Sequence, residues 1–427
     1  MSEITAPIML DSTGHLIVEG LARQNLLLAQ MIQAGEATPA AELAEIHRIV
    51  QAGEAPNVFS IGEQLMLNYN DGSNAYVLPW DIVHFGDVVL QDGENVPGMF
   101  LQSHYAMQAI QFDQNEGFYV VPAGGLAAGN YYFSMANSWG SNVVSGKIYQ
   151  FTTTESYAEG DIWQLGTASS EVSGLPDTSP ANWRVRTYKK DGTTPASMAA
   201  SATETLSLTE VNSGSGTNLG ALSSSTKYGT SGLNNMQRSA YGYNRWSQSA
   251  MRQFLNSSAA AGSWWSAQNP YDRRPNELAT KRGFMAGFDD AFLNIIKPVR
   301  VTTALNIVTD TDIGASENTY DTFFLSSLEQ EYIVPQASGV EGDYWEYWKQ
   351  RLGLSSPQAH GSGGTNAFHI RYGYDAKTTA QAVRLRSANR IDAGYVWYVY
   401  TSGYANVYYY AGYATTAFRG CPACVIC

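Results

Sequence analysis

From Ala382 onward the chain alternates in period two, with almost no helical signal. In a strand, Tyr404, Asn406, Tyr408 and Tyr410 then share one face, and Ala405, Val407, Tyr409 and Ala411 share the other. One face is mostly small and apolar, fit for packing. The other is a row of large, half-polar side chains. Residues 394–413 hold eight tyrosines in twenty positions. A buried phenol must find a hydrogen-bond partner, a demand that Phe or Leu does not make. An exposed aromatic patch invites association, and Tyr is enriched where a protein grips something else. The row is therefore expected to be an exposed binding face. Its competitor is a Tyr-rich sheet face covered by the rest of the chain.

The remaining composition sets the context. The chain has 427 residues, 44% of them hydrophobic, enough for a large core in two or three structural units. A formal net charge of −13 argues against nucleic acid, which selects clustered Lys and Arg. Only 15% of residues are charged, while Gly, Ser, Thr, Asn and Tyr abound, a balance typical of extracellular or virion β-rich proteins. The N-terminal "MSEITAPIML" has no basic region followed by an apolar run, so no signal peptide is expected. No apolar run is long enough to suggest membrane insertion. Cys421, Cys424 and Cys427 all fall in the last seven residues. An odd, clustered count is not a disulfide framework, which points to synthesis in a reducing cytoplasm.

Residues 15–52 are expected to be helical. Val18, Leu21, Asn25, Leu28 and Ile32 form a short heptad seam with one polar core position, a device that sets oligomer state. The alternative is a helical hairpin packed on its own domain. Thr38 is expected to cap a second helix with Pro39 at its first position and Gly53 after its end. Leu43, Ile46, Ile49 and Val50 form that helix's apolar face. From Val58, "VFSIGEQLML" and "GDVVLQ" read as strands. In residues 117–231, "FYVVPAGGLAAGNYYFSM" reads as a hairpin and "SGKIYQFTTT" as a strand. The region then drifts into Ser and Gly, as an inserted β unit with loose connections. Trp246, Ala250, Phe254 and Leu255 mark an amphipathic helix, and a second helix is expected over 289–296 with Asp289 as cap. "VRVTTAL" is a strand, and Ser326 with Glu329 is spaced as a capping box. The fold class is α+β.

Few residues suggest chemistry. "CPAC" has the spacing of half a zinc site or a redox pair, but only Cys427 lies near, and "CPACVIC" reads as a terminal strand of small core residues. Asp310, Asp312, Glu317 and Asn318 put hard oxygen ligands in one loop without the full calcium pattern. Ser103 beside His104 is a sequence neighbour, not a triad. The pair Asp289 and Asp290 fits a helix cap. "GSWWSAQNPYDRRP" and "DYWEYWKQRLG" are either carbohydrate-stacking platforms or buried wedges, with the core reading favoured. No cofactor motif appears.

Several of these stretches occur in a familiar order. "VFSIGEQLML", "PWDIVHFG" and "VPGMFLQSHYAMQAIQFD" come first. "YNRWSQSAMRQFLNSS", the Trp264–Trp265 pair with "YDRRP", "GFMAGFDDAFLNII", "DTFFLSSLEQ", "VRLRSA" and "CPACVIC" follow. Together they resemble the C-type-lectin-like variable proteins that retroelements diversify, especially those of gut bacteriophages. The resemblance covers 56–115 and 232–427, with 116–231 inserted and 1–55 as an N-terminal attachment or oligomerisation segment. It implies a C-type-lectin-like domain, related to formylglycine-generating enzymes, with a variable region at about 386–420. In such systems adenine-directed mutagenesis rewrites Asn codons as Tyr, Asp, His, Ser, Gly, Arg, Ile or Phe. The resemblance thus implies ligand-binding variable positions at Arg390, Asp392, Tyr395, Tyr398, Tyr400, Tyr404, Tyr408, Tyr409, Tyr410 and Tyr413. Asn406 is an unaltered site, Gly412 also fits, and Trp397 is reached through an Arg codon. The calcium–sugar signature Glu-Pro-Asn is missing. No catalytic residue, metal or cofactor is implied.

The function expected is a hypervariable receptor-binding or adhesion protein at a phage tail tip. It would be made in the host cytoplasm and would recognise a bacterial surface protein or glycan. Its other partners would be virion tail proteins and sister copies, in a homo-oligomer, most simply a trimer. Alternatives are a cell-surface adhesin with a fixed site and a formylglycine-generating-type enzyme, which would need Cys421 and Cys424 as paired thiols.

Overall fold

The computed structural model describes residues 36–138, 144–167, 183–190, 201–227, 232–360, 367–406 and 412–427. The seam from Val18 to Ile32 and the tyrosines 408–410 lie outside them. The described residues are α+β, with many short strands and few helices.

Two five-stranded sheets organise the outer parts of the sequence. The first runs in the order Gln64–Asn70, Ala75–Val89, Asn95–Ser103, Pro422–Ile426, Phe324–Leu325. All its neighbours are antiparallel. The C-terminal strand is thus interior, and every residue from Pro422 to Ile426 is buried. Pro422 is tolerated there because it opens the strand. A Cβ on Gly98 would lie 2.7 Å from Val425 Cγ1, so glycine permits the close approach of the neighbouring strand. The second sheet runs Ala405–Asn406, Val396–Val399, Val383–Ala388, Ala417–Gly420, Ile110–Gln111. Cys421 alone separates Ala417–Gly420 from Pro422–Ile426, so the two sheets share a continuous run of backbone.

The helix Ala40–Gln51 buries Leu43, Ile46, Ile49 and Val50, as the periodicity predicts, in the same core as the first sheet. His47 Nε2 lies 2.8 Å from the carbonyl of Cys427. Thr38 is not its cap: Pro39 holds that position, and the Thr38 hydroxyl accepts from the Met66 amide at 3.2 Å. The helix at Asp289 is shorter than expected, Asp290–Leu293; Asp289 holds the N-cap position as expected, but its carboxylate accepts from Asn68 and makes no cap hydrogen bond. Ser326 and Glu329 form no capping box. Ser326 Oγ donates to Glu331, while Glu329 accepts from the amides of Gly339 and Glu341. Both side chains are buried, and partners outside the capping-box spacing take their polar atoms.

Residues 117–231 hold two four-stranded sheets. Tyr119–Val120 and Gly129–Met135 do not pair as a hairpin. The first pairs with Ile162–Thr167 and the second with Ile148–Thr153. The Ser/Gly drift carries a strand, Thr217–Leu222, parallel to Gly129–Met135. Nor is the connection loose. Arg238 makes a bidentate pair with Glu116 at 2.7 Å on both arms, with both side chains buried. Asn234 and Asn269 donate to the same carboxylate. The apolar core of the insertion, including Phe118, Trp163 and Trp183, runs on into Met236, Ala240, Tyr241 and Tyr413.

Candidate functional site

The strand Val383–Ala388 is buried at all six positions. It nevertheless carries Arg384 and Arg386, which share one face at period two. Arg384 Nη1 donates to the carbonyls of Val396 at 3.1 Å and Gly412 at 3.4 Å. Its Nη2 donates to Tyr413 at 2.9 Å and Thr416 at 3.0 Å. The guanidinium also lies over the Phe418 ring, 4.7 Å from its centroid. Burial lowers its pKa to about 9, against the pull of the Tyr398 phenol.

Asn244 does the same for the loop before it. Its Nδ2 donates to the carbonyls of Asn389 at 3.1 Å, Asp392 at 2.6 Å and Tyr395 at 2.9 Å. Asn306 Nδ2 holds the Asn244 oxygen at 3.0 Å. Gln336 Oε1 accepts from the Arg390 amide at 2.8 Å, and Gln237 Oε1 from the Ala393 amide at 3.1 Å. The Tyr-rich segment is therefore gripped largely by its main chain. Gly394 has no room for a side chain, since a Cβ there would sit 2.7 Å from Tyr241 Cβ.

The expected site residues separate by exposure. Tyr400 is 41% exposed, and beside the expected positions Ile391, which sequence reading did not single out, is 69% exposed. Arg390, Asp392, Tyr395 and Tyr404 are half-buried. Trp397, Tyr398 and Tyr413 are buried, so a solvent-facing ring at each of these three is corrected. The reason is that Val396–Val399 is covered on both faces. Trp397 and Val399 pack with Ile333, Leu385 and Ala405. Tyr398, on the other face, packs its ring 5.1 Å from that of Phe418. Trp397 Nε1 donates to Gln336 at 3.2 Å, and His360 stacks edge-on to its ring at 4.7 Å.

A turn closed by the Tyr400 amide on the Tyr404 carbonyl leads into Ala405–Asn406. Gly403, with φ +83°, supplies the left-handed residue this turn needs. Tyr404 is half-open while Ala405 is fully buried, the alternation the sequence predicts. Asn406 pairs through its backbone with Tyr398. Its side chain and residues 408–410 are outside the described set.

Two ring clusters result. Tyr241 stacks on Tyr413 at 3.9 Å, and Tyr395 meets both edge-on at 5.3 and 5.0 Å. Tyr400 packs against Tyr404 at 5.5 Å and Tyr398 at 6.3 Å. Burial raises the Tyr395 phenol well above its ordinary pKa, and the Tyr413 hydrogen bond adds to this. Asp392 accepts from the Gly394 amide and from Gln237 Nε2, both at 2.8 Å. Burial still pushes its carboxyl up to about 6. The face so formed offers neutral phenols, an isoleucine and a weakly acidic carboxyl, which suits amphipathic contact.

The acidic loop is divided among protein partners. Asp310 is buried and accepts from Tyr243, Asn306 and Thr309. Asp312 pairs with Lys227, Glu317 with Arg245, and Asn318 with Thr302. Among the described residues no cluster of His, Cys, Asp and Glu is arranged to hold a metal. Cys421, just before the strand Pro422–Ile426, and Cys424 within it sit in separate core clusters. Trp264, Trp265, Trp345 and Trp348 are all buried, as the core reading of the two aromatic stretches expects.

Sequence reading missed Asn244, Gln237, Gln336 and Tyr241, which lie far from the tail in sequence. Arg384 had a signal: two arginines at period two, 384 and 386, alternating with the apolar Val383 and Leu385.

Residues 225–426 match a family model described as a domain of unknown function (DUF6273). The matched span contains Asn244, Arg384 and the whole Tyr-rich segment. No curated protein and no solved structure matches.

Proposed function

We propose that this chain is a ligand-binding protein of the retroelement-diversified, C-type-lectin-like kind. It displays its Tyr-rich loops at a phage tail tip to a bacterial surface protein or glycan. The observation that carries the reading is the main-chain grip. Asn244 reaches three carbonyls and Arg384 four, all in the segment from 389 to 416. Side chains on a backbone held this way can differ between copies without loosening their support. The open positions Arg390, Asp392, Tyr395, Tyr400 and Tyr404 are all reachable from Asn codons. Several copies carried on one tail as a homo-oligomer would convert weak contacts into avidity.

A fixed-site adhesin is the second reading. The packed set Tyr241, Tyr395 and Tyr413 favours it, because a close ring stack restricts what may replace its members. Sequencing the DNA downstream of the gene separates the two. An imperfect repeat of the gene's 3′ end, differing at adenines and beside a reverse transcriptase gene, is the expected result. Its absence overturns diversification and leaves the fixed adhesin.

A further inference from the structure

A cleft of about 450 Å³ opens beside the first sheet, and none of the expected variable positions among the described residues lines it. That volume falls within the roughly 300–1,000 Å³ typical of small-molecule sites. Its inner wall includes Arg386, which is 1% exposed. The Arg386 Nη atoms are occupied, donating to the carbonyls of Leu325, Thr302 and Glu341 and to Gln330 Oε1. Among the described residues its Nε–H has no hydrogen-bond partner. An unpaired donor on a buried guanidinium is costly, and Arg386 lends the cleft lining a positive charge.

The rim is built from exposed groups of both signs: Asp87 and Asp343 as acceptors, and Arg300 as a donor. Tyr344, half-buried, adds a ring to the same wall. An anion in this cleft would meet Asp87, Asp343 and the buried carboxyl of Glu341. A cation would meet Arg300 and Arg386. A hydroxyl donates to a carboxylate and accepts from a guanidinium, so a neutral polyhydroxylated ligand satisfies both sets. The apolar face of a pyranose also suits an aromatic wall.

We propose that this cleft is a second binding site, for a neutral hexose or the end of a neutral glycan, separate from the Tyr-rich face. It does not depend on whether that face is diversified.

The test uses saturation-transfer NMR on the full chain with glucose, galactose, mannose and N-acetylglucosamine. Glucuronate and glucosamine serve as charged probes of the same ring size. At least one neutral sugar is expected to bind, and more tightly than either charged probe. Asp343→Asn and Tyr344→Ala alter rim side chains and should keep the wild-type melting temperature. Each is expected to weaken that binding about tenfold, the effect of losing one hydrogen bond to a charged group or a comparable contact. Arg300→Gln provides a third rim variant should either of these fail to fold. No transfer to any neutral sugar overturns the proposal. So does tighter binding of glucuronate or glucosamine, or unchanged affinity in the folded rim variants.

Discussion

The side-chain amide of Asn244 lies 2.9 Å from the carbonyl oxygen of Tyr395, a bond to the main chain of that tyrosine and not to its ring. The same nitrogen reaches Asn389 and Asp392. Asn244→Ala leaves buried carbonyls without a donor, at about 1–3 kcal/mol for an orphaned group. Asn244→Asp keeps the shape but sets a carboxylate against carbonyl oxygens, so its loss should be larger. Ile391→Ser, at the most exposed of these loop positions, should barely move stability. Denaturant titration of the three variants checks the order. Equal losses at Asn244 and Ile391 would mean that the loop is held by its side chains.

Exposure divides the aromatic positions into two mechanical classes. Tyr400→Ala with Tyr404→Ala removes rings that are open or half-open, so stability should change by less than about 1 kcal/mol. On the proposed receptor-binding role, capture of bacterial cells should fall. Trp397→Ala empties a space between Leu385 and Ala405 and should cost about 3–5 kcal/mol. Thermal melts alongside a cell-binding assay separate the classes. A large stability loss in the Tyr400 and Tyr404 double variant would place those rings in the core.

How much of this was legible depends on the range of the interactions. The helix Ala40–Gln51 was readable from period, because its apolar face is set by residues three and four apart. So were the C-terminal strand and the open state of Tyr404 over the buried Ala405. Local capping signals failed at Thr38 and at Ser326, where Met66 and Gln102 from elsewhere in the chain donate to the side chains. The alternation through Val396–Val399 was read correctly as a strand and incorrectly as half-exposed. Period two gives the faces but not what covers them, and here Leu385 on one side and Phe418 on the other do so. Asn244 and Gln336 had no local mark, since their importance comes from loops that reach them only after folding.

The Asp392 carboxyl gives a pH dependence of definite sign. Its pKa rises from an ordinary 3.8 to about 6 in the folded chain, chiefly through burial. Between those values the folded state holds a proton that the unfolded state has released. The Asp392 contribution is therefore most favourable below the lower value and declines as pH rises through about 6. Buried Glu331 and Glu341 are shifted in the same direction, so the wild-type curve alone is not diagnostic. The difference between wild type and Asp392→Asn isolates the group. That difference should change from about pH 4 to about pH 7, through the folded value, and stay flat above that, as read by melting temperature. A flat difference throughout would show that Asp392 is not buried as an acid.

Cys421 is buried, and burial raises its thiol to about 12, with Arg371 opposing the shift. Cys424 is buried in a separate cluster, and burial likewise raises its thiol well above the ordinary range. Little thiolate exists on either at neutral pH. Iodoacetamide should leave both unmodified in the native chain and alkylate both in denaturant, with mass spectrometry as the readout. Rapid native alkylation of either would return them to the list of reactive groups.

Arg384 is where the sheet and the loops are joined, and its geometry can be tested without removing its charge. The two Nη atoms point to different segments, one to Val396 and Gly412 and the other to Tyr413 and Thr416. A lysine ammonium is a single centre and lacks the planar fork that spans both. Arg384→Lys should therefore cost on the order of 3 kcal/mol, because several buried carbonyls lose their donor together. Hydrogen exchange should rise first at the amides of Val396 and Ala414, whose acceptors are the carbonyls of Gly412 and Gly394. The helix Ala40–Gln51, which packs against the strand Asn95–Ser103, should keep its protection unless the whole chain opens. Retained protection at Val396 and Ala414 would mean that the guanidinium fills space and does not clamp the segment.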